Sequence, residues 1–258
     1  PNWTAATQNL FATTRQTVSE GNNATLTVDI PEPAPDFTAR STASSYNFIS
    51  LFRKSGHINA LQLDTGGGAS VVHFTGGNFY RTYIPWSGVY DDGNWHHLAA
   101  VYDSSSGMTA YVDGSQEGTN YNSGLLDTTN TRWGVGCNLA DPVSELYDGQ
   151  LDDIAIYDRA LSDTEVSTLS SGGSVTSGLV SRWDFEDKVY SRYQDTVGGN
   201  AMYLGSGSNE PTEASGRSGT VLDFDGTNHF AGMPDDASLD LTDQITISLF
   251  FNTTQSSA

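Results

Sequence analysis

The sequence predicts an antiparallel β-sandwich with one short surface helix, and three observations carry this prediction. Many segments alternate apolar and polar residues with a period of two, as half-buried strands do. Turn-forming residues separate nearly all of these segments, and the 258 residues include 27 glycines, which suits short strands joined by tight turns. Charged residues make up only 16% of the chain while aromatic residues make up 11%, enough for a sandwich core.

The alternating segments run along the whole chain. They are TLTVDI (25–30), NFISLF (47–52), ALQLD (60–64), SVVHF (70–74), HLAAVY (97–102), TAYVDG (109–114), WGVGC (133–137), QLDDIAIYD (150–158), LVSRWDF (179–185), VLDFDG (221–226) and ITISLFF (245–251). Asp113 and Gly114 end one of them, and this pair predicts a tight hairpin turn because both residues tolerate positive φ.

One segment predicts a helix, RALSDTEVSTL at 159–169. Ser162 is the expected N-cap, and Glu165 stands three residues later, which completes a capping box.

The charge excludes some partners. A net charge of −20 disfavours nucleic acid, whose phosphates need clustered Lys and Arg, and it disfavours an anionic membrane surface. No apolar run is long enough to insert into a bilayer, and no signal peptide is visible. The single cysteine, Cys137, excludes an intrachain disulfide and is expected to be a small core residue.

Two adjacent histidines, His96 and His97, invite a metal or catalytic interpretation. Neighbouring residues of a strand point to opposite faces, so the two rings cannot chelate one metal. We therefore predict an architectural role for the pair.

The chain contains two pairs of similar segments. NLFA (9–12) is similar to NHFA (228–231), and ATLTVDI (24–30) is similar to ITISLFF (245–251), in the same order and with nearly the same spacing. Short strand patterns recur easily, but the shared order suggests that the end of the chain begins a second copy of its start.

Longer motifs resemble a known family. DDGNWHHLAAVYD, MTAYVDGSQEG, WGVGC and YDGQLDDIAIYDRALSDTEV, all within 91–166, resemble the laminin-G-like (concanavalin-A-like jelly-roll) domains that occur in tandem in large extracellular proteins. Residues 178–251, from GLVSRWDFED to ITISLFF, resemble the opening half of the same domain. The resemblance implies an all-β jelly-roll sandwich whose halves occur here in permuted order, while residues 1–45 match poorly.

The permuted order predicts a domain organisation. Residues 1–170 are the closing portion of a laminin-G-like sandwich, 171–178 a linker, and 179–258 the opening portion of the same or the next sandwich. Because the sequence starts at Pro1 and not at a Met, we expect it to be an excised or processed piece. The opening portion closes the sandwich within one chain, or it closes that of a neighbouring copy by head-to-tail strand complementation. The segments 9–30 and 228–251 then compete for one position.

A calcium site is one functional expectation, since Ca²⁺ takes carboxylate and carbonyl oxygens. Asp223 and Asp225 leave the same side of one strand, Asn228 follows in the turn, and Asp148 and Asp152 lie at the start of another strand. The alternative is a simple turn at Asp225.

A glycan-binding surface is the second expectation, because it needs an aromatic platform beside polar groups. The candidate residues are Trp86, Tyr90, Asp91, Asp92, Tyr121 and Asn122. Trp86 is equally compatible with a plug at the end of the sandwich.

Enzymatic activity is not expected. Asp184 and Glu186 are the nearest approach to the paired carboxylates of a glycosidase, but they match the ordinary opening strand of the family. N-x-T sequons at Asn2, Asn23 and Asn252 are compatible with glycosylation and an extracellular location, although they also arise by chance.

The sequence therefore predicts a non-enzymatic extracellular structural or assembly module of a repeat-containing surface filament, fibre or adhesin. Its partners would be neighbouring copies of the same chain. The alternative is a Ca²⁺-dependent carbohydrate-binding adhesion module.

Overall fold

The structure is a computed structural model, and it describes residues 10–20, 24–33, 48–54, 58–64, 69–83, 90–126, 132–139, 143 and 145–254. Its strands are β1 (Leu10–Glu20), β2 (Ala24–Pro33), β3 (Phe48–Lys54), β4 (Ile58–Asp64), β5 (Ala69–Thr75), β6 (Asn78–Tyr83), β7 (Trp95–Asp103), β8 (Gly107–Val112), β9 (Ser115–Asn120), β10 (Trp133–Val135), β11 (Asp148–Tyr157), β12 (Leu179–Trp183), β13 (Arg192–Tyr193), β14 (Met202–Leu204), β15 (Thr212–Ser215), β16 (Thr220–Asp225), β17 (Ala231–Met233) and β18 (Gln244–Asn252). The helix α1 (Asp163–Ser170) follows β11.

The strands form two large antiparallel sheets and a separate hairpin. Sheet I has the order β13-β14-β17-β10-β3-β4-β5-β6, and sheet II has the order β15-β16-β11-β18-β7-β8-β9, with β12 also paired to β11. The hairpin is β1–β2. The all-β sandwich predicted from the sequence is therefore confirmed, and the described residues contain one α-helix besides two short 3-10 helices, Gly207–Asn209 and Ala237–Leu239.

Every alternating segment of the sequence coincides with a strand, but several strands went unpredicted. β1, β6, β9, β13, β14, β15 and β17 lacked a usable signal. β9 has the sequence SQEGTN and no buried residue, because it is an edge strand held by its hairpin to β8. That hairpin turns at Asp113 and Gly114, whose φ angles of +49° and +79° confirm the predicted turn.

The core lies between the two sheets and is rich in aromatic residues. Trp133 of sheet I and Trp183, beside sheet II, are both completely buried. They belong to one continuous cluster with residues such as Tyr102, Tyr147 and Phe251. Large rings bury much apolar surface per residue, and they are packed here among Leu, Ile, Val, Met and Ala side chains.

The strand β18 joins the two portions of the chain. It pairs with β7 along one edge and with β11 along the other, so a strand of the opening portion lies between two strands of the closing portion. Each buried large apolar side chain contributes roughly 1.5–3 kcal/mol. β18 buries five of them, which together contribute on the order of 10 kcal/mol, similar to the net stability of a whole domain.

The outer face of sheet II is covered by α1 and the segment that follows it. Ala99, Val101, Tyr111, Ala155 and Tyr157 form a second buried cluster with Leu161 and Val166, and Val175 packs against it. Residues 171–178, expected to be a linker, thus lie against the sheet. Gly173 N–H donates to Thr168 O at 2.9 Å.

The helix starts as the sequence predicts, although four residues later than the start of the segment RALSDTEVSTL. Ser162 is the N-cap and its hydroxyl accepts from the N–H of Glu165, whose carboxylate accepts in return from the N–H of Ser162. Arg159 also pairs with Glu165 through both terminal nitrogens.

Ser162→Ala should destabilise the protein by about 1 kcal/mol, because two N–H groups at the helix start lose their acceptors or their geometry. Urea denaturation followed by tryptophan fluorescence measures this. Ser167→Ala, on the exposed side of the same helix, is the matched control and should change stability by only a few tenths of a kcal/mol. Equal effects of the two substitutions would contradict the capping role.

Candidate functional sites

The two adjacent histidines lie on opposite faces of sheet II. His96 Nδ1 is 2.8 Å from Asp113 Oδ2 and Nε2 is 3.2 Å from Asp92 Oδ1; both nitrogens donate only when the ring is protonated. The hydrogen bond to Asp113 accordingly raises the pKa of His96. His97 is buried against Ser248, with Nε2 2.9 Å from Oγ. Burial lowers the pKa of His97 to about 4, so one ring is charged more easily and the other stays neutral. The prediction that the two rings lie on opposite faces is confirmed, and the architectural role of the pair stays a prediction.

A β-bulge in β11 organises a charged cluster on sheet II. β11 pairs with β16 up to Leu151 and with β12 from Ile154 onwards, and Asp153 between them has φ +48°. The bulge turns its carboxylate towards two cations. Oδ1 of Asp153 accepts from Arg182 Nη2 and Oδ2 accepts from Arg217 Nη2, both at 2.6 Å.

Arg217 also lies over an aromatic ring of the central strand. Its Cζ is 3.5 Å from the ring centroid of Phe250, a favourable cation–π contact. In the strand register, Phe250 stands between His97 and Asp152. A row of polar and aromatic groups therefore crosses β7, β18 and β11 at one level.

Asp152 is the most strongly perturbed carboxyl group of this row. It is only 1% exposed, Oδ1 accepts from the N–H of Asp153 at 2.8 Å, and Oδ2 has no partner among the described residues. Burial, and then repulsion from Asp153, raises the pKa of Asp152 to about 7. A large fraction of this side chain is thus protonated near neutral pH.

Two cavities, each of about 300 Å³, flank the Asp153–Arg182 ion pair. The first lies between sheet II and residues 172–176, with Tyr157, Phe250 and Ser248 in its lining. Asp184 and Glu186 line the second. The first cavity has a mixed polar and apolar lining, and the second is mainly acidic.

The acid pair Asp184 and Glu186 does not lie on a strand face. β12 ends at Trp183, and Phe185 has φ +58°, so the alternation expected through residue 185 stops early. Glu186 Oε1 accepts from the N–H of Thr220 at 2.7 Å. This bond gives Glu186 a structural role between the β12 end and β16.

The structure brings together most of the carboxylates proposed to bind calcium. Asp148 stands opposite Asp225 in the β11–β16 pair, with Asp223 opposite Gln150. Burial, and then repulsion from Asp223 and Asp225, raises the pKa of Asp148. Burial opposes ionisation of Asp225, but three backbone N–H groups of the following turn, including that of Asn228, outweigh it and lower its pKa.

The five residues proposed to bind calcium do not all lie together. One oxygen of Asp225 is already used by the turn, and Asp152 lies four residues, about 13 Å, along β11 from Asp148. Across the ranges described above, no group of three or more His, Cys, Asp or Glu side chains is arranged to hold a metal ion. A calcium-binding role for this edge stays a prediction from the sequence.

The residues proposed as a glycan platform are dispersed. Tyr90 is buried in the core and packs edge-on to His96, so its ring offers no exposed face. Asp92 accepts from Asn94 and His96 at the start of β7, near Asp91. Trp86 lies outside the described residues.

Tyr121 and Asn122 lie at the other end of the same strands. Tyr121 follows β9 beside Gly107, and Gly107 is separated from the Asp113 turn by the length of β8, about 20 Å. Tyr121 is 81% exposed, and Asn122 O accepts a hydrogen bond from His73 Nε2 at 3.0 Å. The sequence candidates thus belong to two separate places.

One of the sequons can be located. Asn252 closes β18, and its amide donates to Gly93 O at 2.6 Å; a glycan on this nitrogen would disturb that contact. Asn2 and Asn23 lie outside the described residues. Cys137 is buried and free, as the sequence predicts. Within the described part of the chain, no helix is long and apolar enough to cross a membrane.

Sequence reasoning missed the cluster around Asp153. The available signal was the break in alternation at LDDI within β11, where two consecutive acids interrupt the pattern and mark a bulge. Arg182 and Arg217 are far apart in sequence, and only the pairing of β12 and β16 with β11 brings them to the same carboxylate.

Comparisons with known proteins give one match. Residues 36–167 match the model of a laminin G-like family described as the concanavalin A-like lectin/glucanases superfamily. Neither the curated proteins nor the solved structures gave a match.

Asp152→Asn should stabilise the protein at pH 8 and have little effect at pH 4. The raised pKa means that the neutral carboxyl is favoured in the fold. The protonated Asp152 carboxyl stabilises the fold below about pH 4. This stabilisation is lost as the pH rises through about 7, because the buried group must then ionise. The asparagine removes that cost, worth up to about 4 kcal/mol.

Urea unfolding of both chains at pH 4, 6 and 8 measures the difference. Asp187→Asn changes the same charge at an exposed position and serves as control, with a small effect at every pH. A pH-independent effect of Asp152→Asn would contradict the raised pKa.

Proposed function

Because the chain belongs to the laminin G-like family of the concanavalin A-like lectin/glucanase superfamily, we propose that it is a non-enzymatic structural module of an extracellular repeat protein. Neighbouring copies are joined by exchange of strands between sandwiches. The observation that carries this proposal is the position of β18 between β7 and β11. The closing portion is complete only when a strand from the opening portion enters it.

A single connection links the closing portion to the portion that contains β18. Residues 158–178 lead from β11 to β12, and everything from Leu179 onwards follows this connection. The contacts of β12 and β18 with β11 would be the same if the opening portion came from a second copy. Such an exchange is heterologous when it runs head to tail, and it extends into a filament when the rotation between copies does not close.

The connection has the composition of a hinge. Residues 170–178 are SSGGSVTSG, and Gly172 and Gly178 have positive φ. Residues 170–178 are held to their neighbours by bonds such as Asp158 N–H to Gly178 O and Arg159 Nε to Ser177 O, both at 2.9 Å, and Val175 packs against the second buried cluster. These contacts must break for the segment to straighten.

An extracellular location is supported by the family, whose laminin G-like domains are often extracellular. The net charge of −20 suits a soluble surface that repels unrelated acidic partners. A non-enzymatic role is supported by the use of Glu186 as an acceptor for the Thr220 N–H. Its neighbour Asp184 lies off the strand face.

A carbohydrate-binding role is a second candidate, and one observation favours it. Tyr121 is 81% exposed and Leu125 is 62% exposed on the same short loop, with Asn122 between them. An exposed aromatic face beside an amide is the arrangement that stacks on a sugar ring.

The assembly proposal predicts a concentration-dependent series of oligomers, seen by size-exclusion chromatography with light scattering and unchanged by EDTA. A variant lacking residues 173–175 should shift the series towards oligomers, because a shortened connection hinders closure within one chain. A variant with Gly-Ser inserted after Gly173 is the matched control and should shift it towards monomer. A monomeric mass for all three chains would overturn the proposal.

The second candidate predicts at least one hit on a glycan array that is lost in Tyr121→Ala. The matched control is Tyr190→Ala, which removes another exposed tyrosine, 66% exposed, from a different loop and should retain the hit. Array signals that survive Tyr121→Ala, or no signal for the parent chain, would count against glycan binding at this loop.

A further inference from the structure

The position that β18 occupies between β7 and β11, which we term the central slot, is enclosed on both sides. Every residue of β18 from Ile245 to Phe251 is buried. Ile245, Ile247, Leu249 and Phe251 lie on the core face. Thr246, Ser248 and Phe250 lie on the outer face, where the hydroxyl of Thr246 donates to Arg159 O at 2.8 Å. An occupant of the slot therefore needs apolar residues at the four core-facing positions and small polar residues at the first two positions between them.

The strand β2 has that pattern at the same spacing. In the alignment of ATLTVDI (24–30) with ITISLFF (245–251), apolar residues coincide at all core-facing positions and hydroxyl residues coincide at the first two outer positions. The core-facing equivalences are Ala24 with Ile245, Leu26 with Ile247, Val28 with Leu249 and Ile30 with Phe251. The outer equivalences are Thr25 with Thr246, Thr27 with Ser248 and Asp29 with Phe250.

The one unlike pair, Asp29 with Phe250, falls beside Arg217. Phe250 lies under the guanidinium of Arg217, and a carboxylate at this position, as Asp29 would provide, can replace the cation–π contact by a charge-assisted hydrogen bond. Asp152 stands directly opposite, which makes Asp29 a poorer fit than Phe250.

β2 lies outside both large sheets. It pairs with β1 from Ala24 to Pro33, and the β1–β2 hairpin forms its own sheet. β2 also precedes β3 directly along the chain. The chain therefore carries two strands with the pattern of one slot, and one of them is inside it.

We propose that β2 is the alternative occupant of the central slot, entering its own slot or that of a second copy when β18 leaves to join a neighbour. This inference rests on the proposed strand exchange and identifies what keeps the slot filled. β18 is the occupant in the structure because its side chains are larger and bury more apolar area. β2 holds the slot while no β18 is available.

Disulfide trapping tests this in a background with Cys137→Ala. Ser248 and Ala99 are register partners, so S248C/A99C reports β18 in the slot. T27C/A99C reports β2 in the slot by the alignment. Q16C/A99C, with its cysteine on β1, is the matched control for chance encounters. Crosslinks formed with oxidised glutathione are identified by peptide mass spectrometry.

We expect T27C/A99C to crosslink at least about fivefold more than Q16C/A99C, since opposed Cα atoms lie about 5 Å apart, within disulfide range. Adding Ile247→Ala, which weakens β18, should raise that yield further. A yield equal to the Q16C/A99C control, or one unaffected by Ile247→Ala, would overturn the proposal.

The outcomes separate this inference from the assembly proposal. A T27C/A99C crosslink within single chains of monomeric mass supports the alternative occupant while assembly fails. A crosslink between chains supports both. Oligomers without any T27C/A99C crosslink leave assembly standing and overturn the role of β2.

Discussion

The pairing of β18 with β7 and β11 is the interaction on which the rest of the structure depends. It closes sheet II, places core residues such as Leu249 and Phe251 against sheet I, and joins a strand near the end of the chain to two strands that come much earlier. The apolar burial of this strand is similar in size to the net stability of a domain. A sandwich with an empty central slot would therefore not be stable.

The polar row on the outer face of sheet II also depends on how β11 pairs with its neighbours. The bulge at Asp152 and Asp153 exists because one edge of β11 pairs with two strands in succession, β16 and then β12. The bulge aims Asp153 at Arg182 and Arg217 and leaves Asp152 buried with an unpartnered oxygen. Strand pairing thus decides which charges meet, and burial decides how they ionise.

The proposed assembly and the stability of the fold depend on the same region. The hinge at 170–178 and the central slot lie at either end of the segment that would be exchanged. The first cavity lies between the hinge and the strands β11, β12 and β18. The proposal also explains the internal sequence similarity, because the two similar segments, β2 and β18, suit one position that holds a single strand.

The sequence by itself determined the sandwich class, the capping box at Ser162, the Asp113–Gly114 turn, the burial of Cys137 and the opposite faces of His96 and His97. Each depends on local periodicity or on a few neighbouring residues. Tertiary structure alone decided that Tyr90 is core, that Tyr121 lies about 20 Å from the Asp113 turn, and that Asp153 meets two arginines. Those placements depend on which distant strands pair, and a period of two is the same for every strand in the sheet.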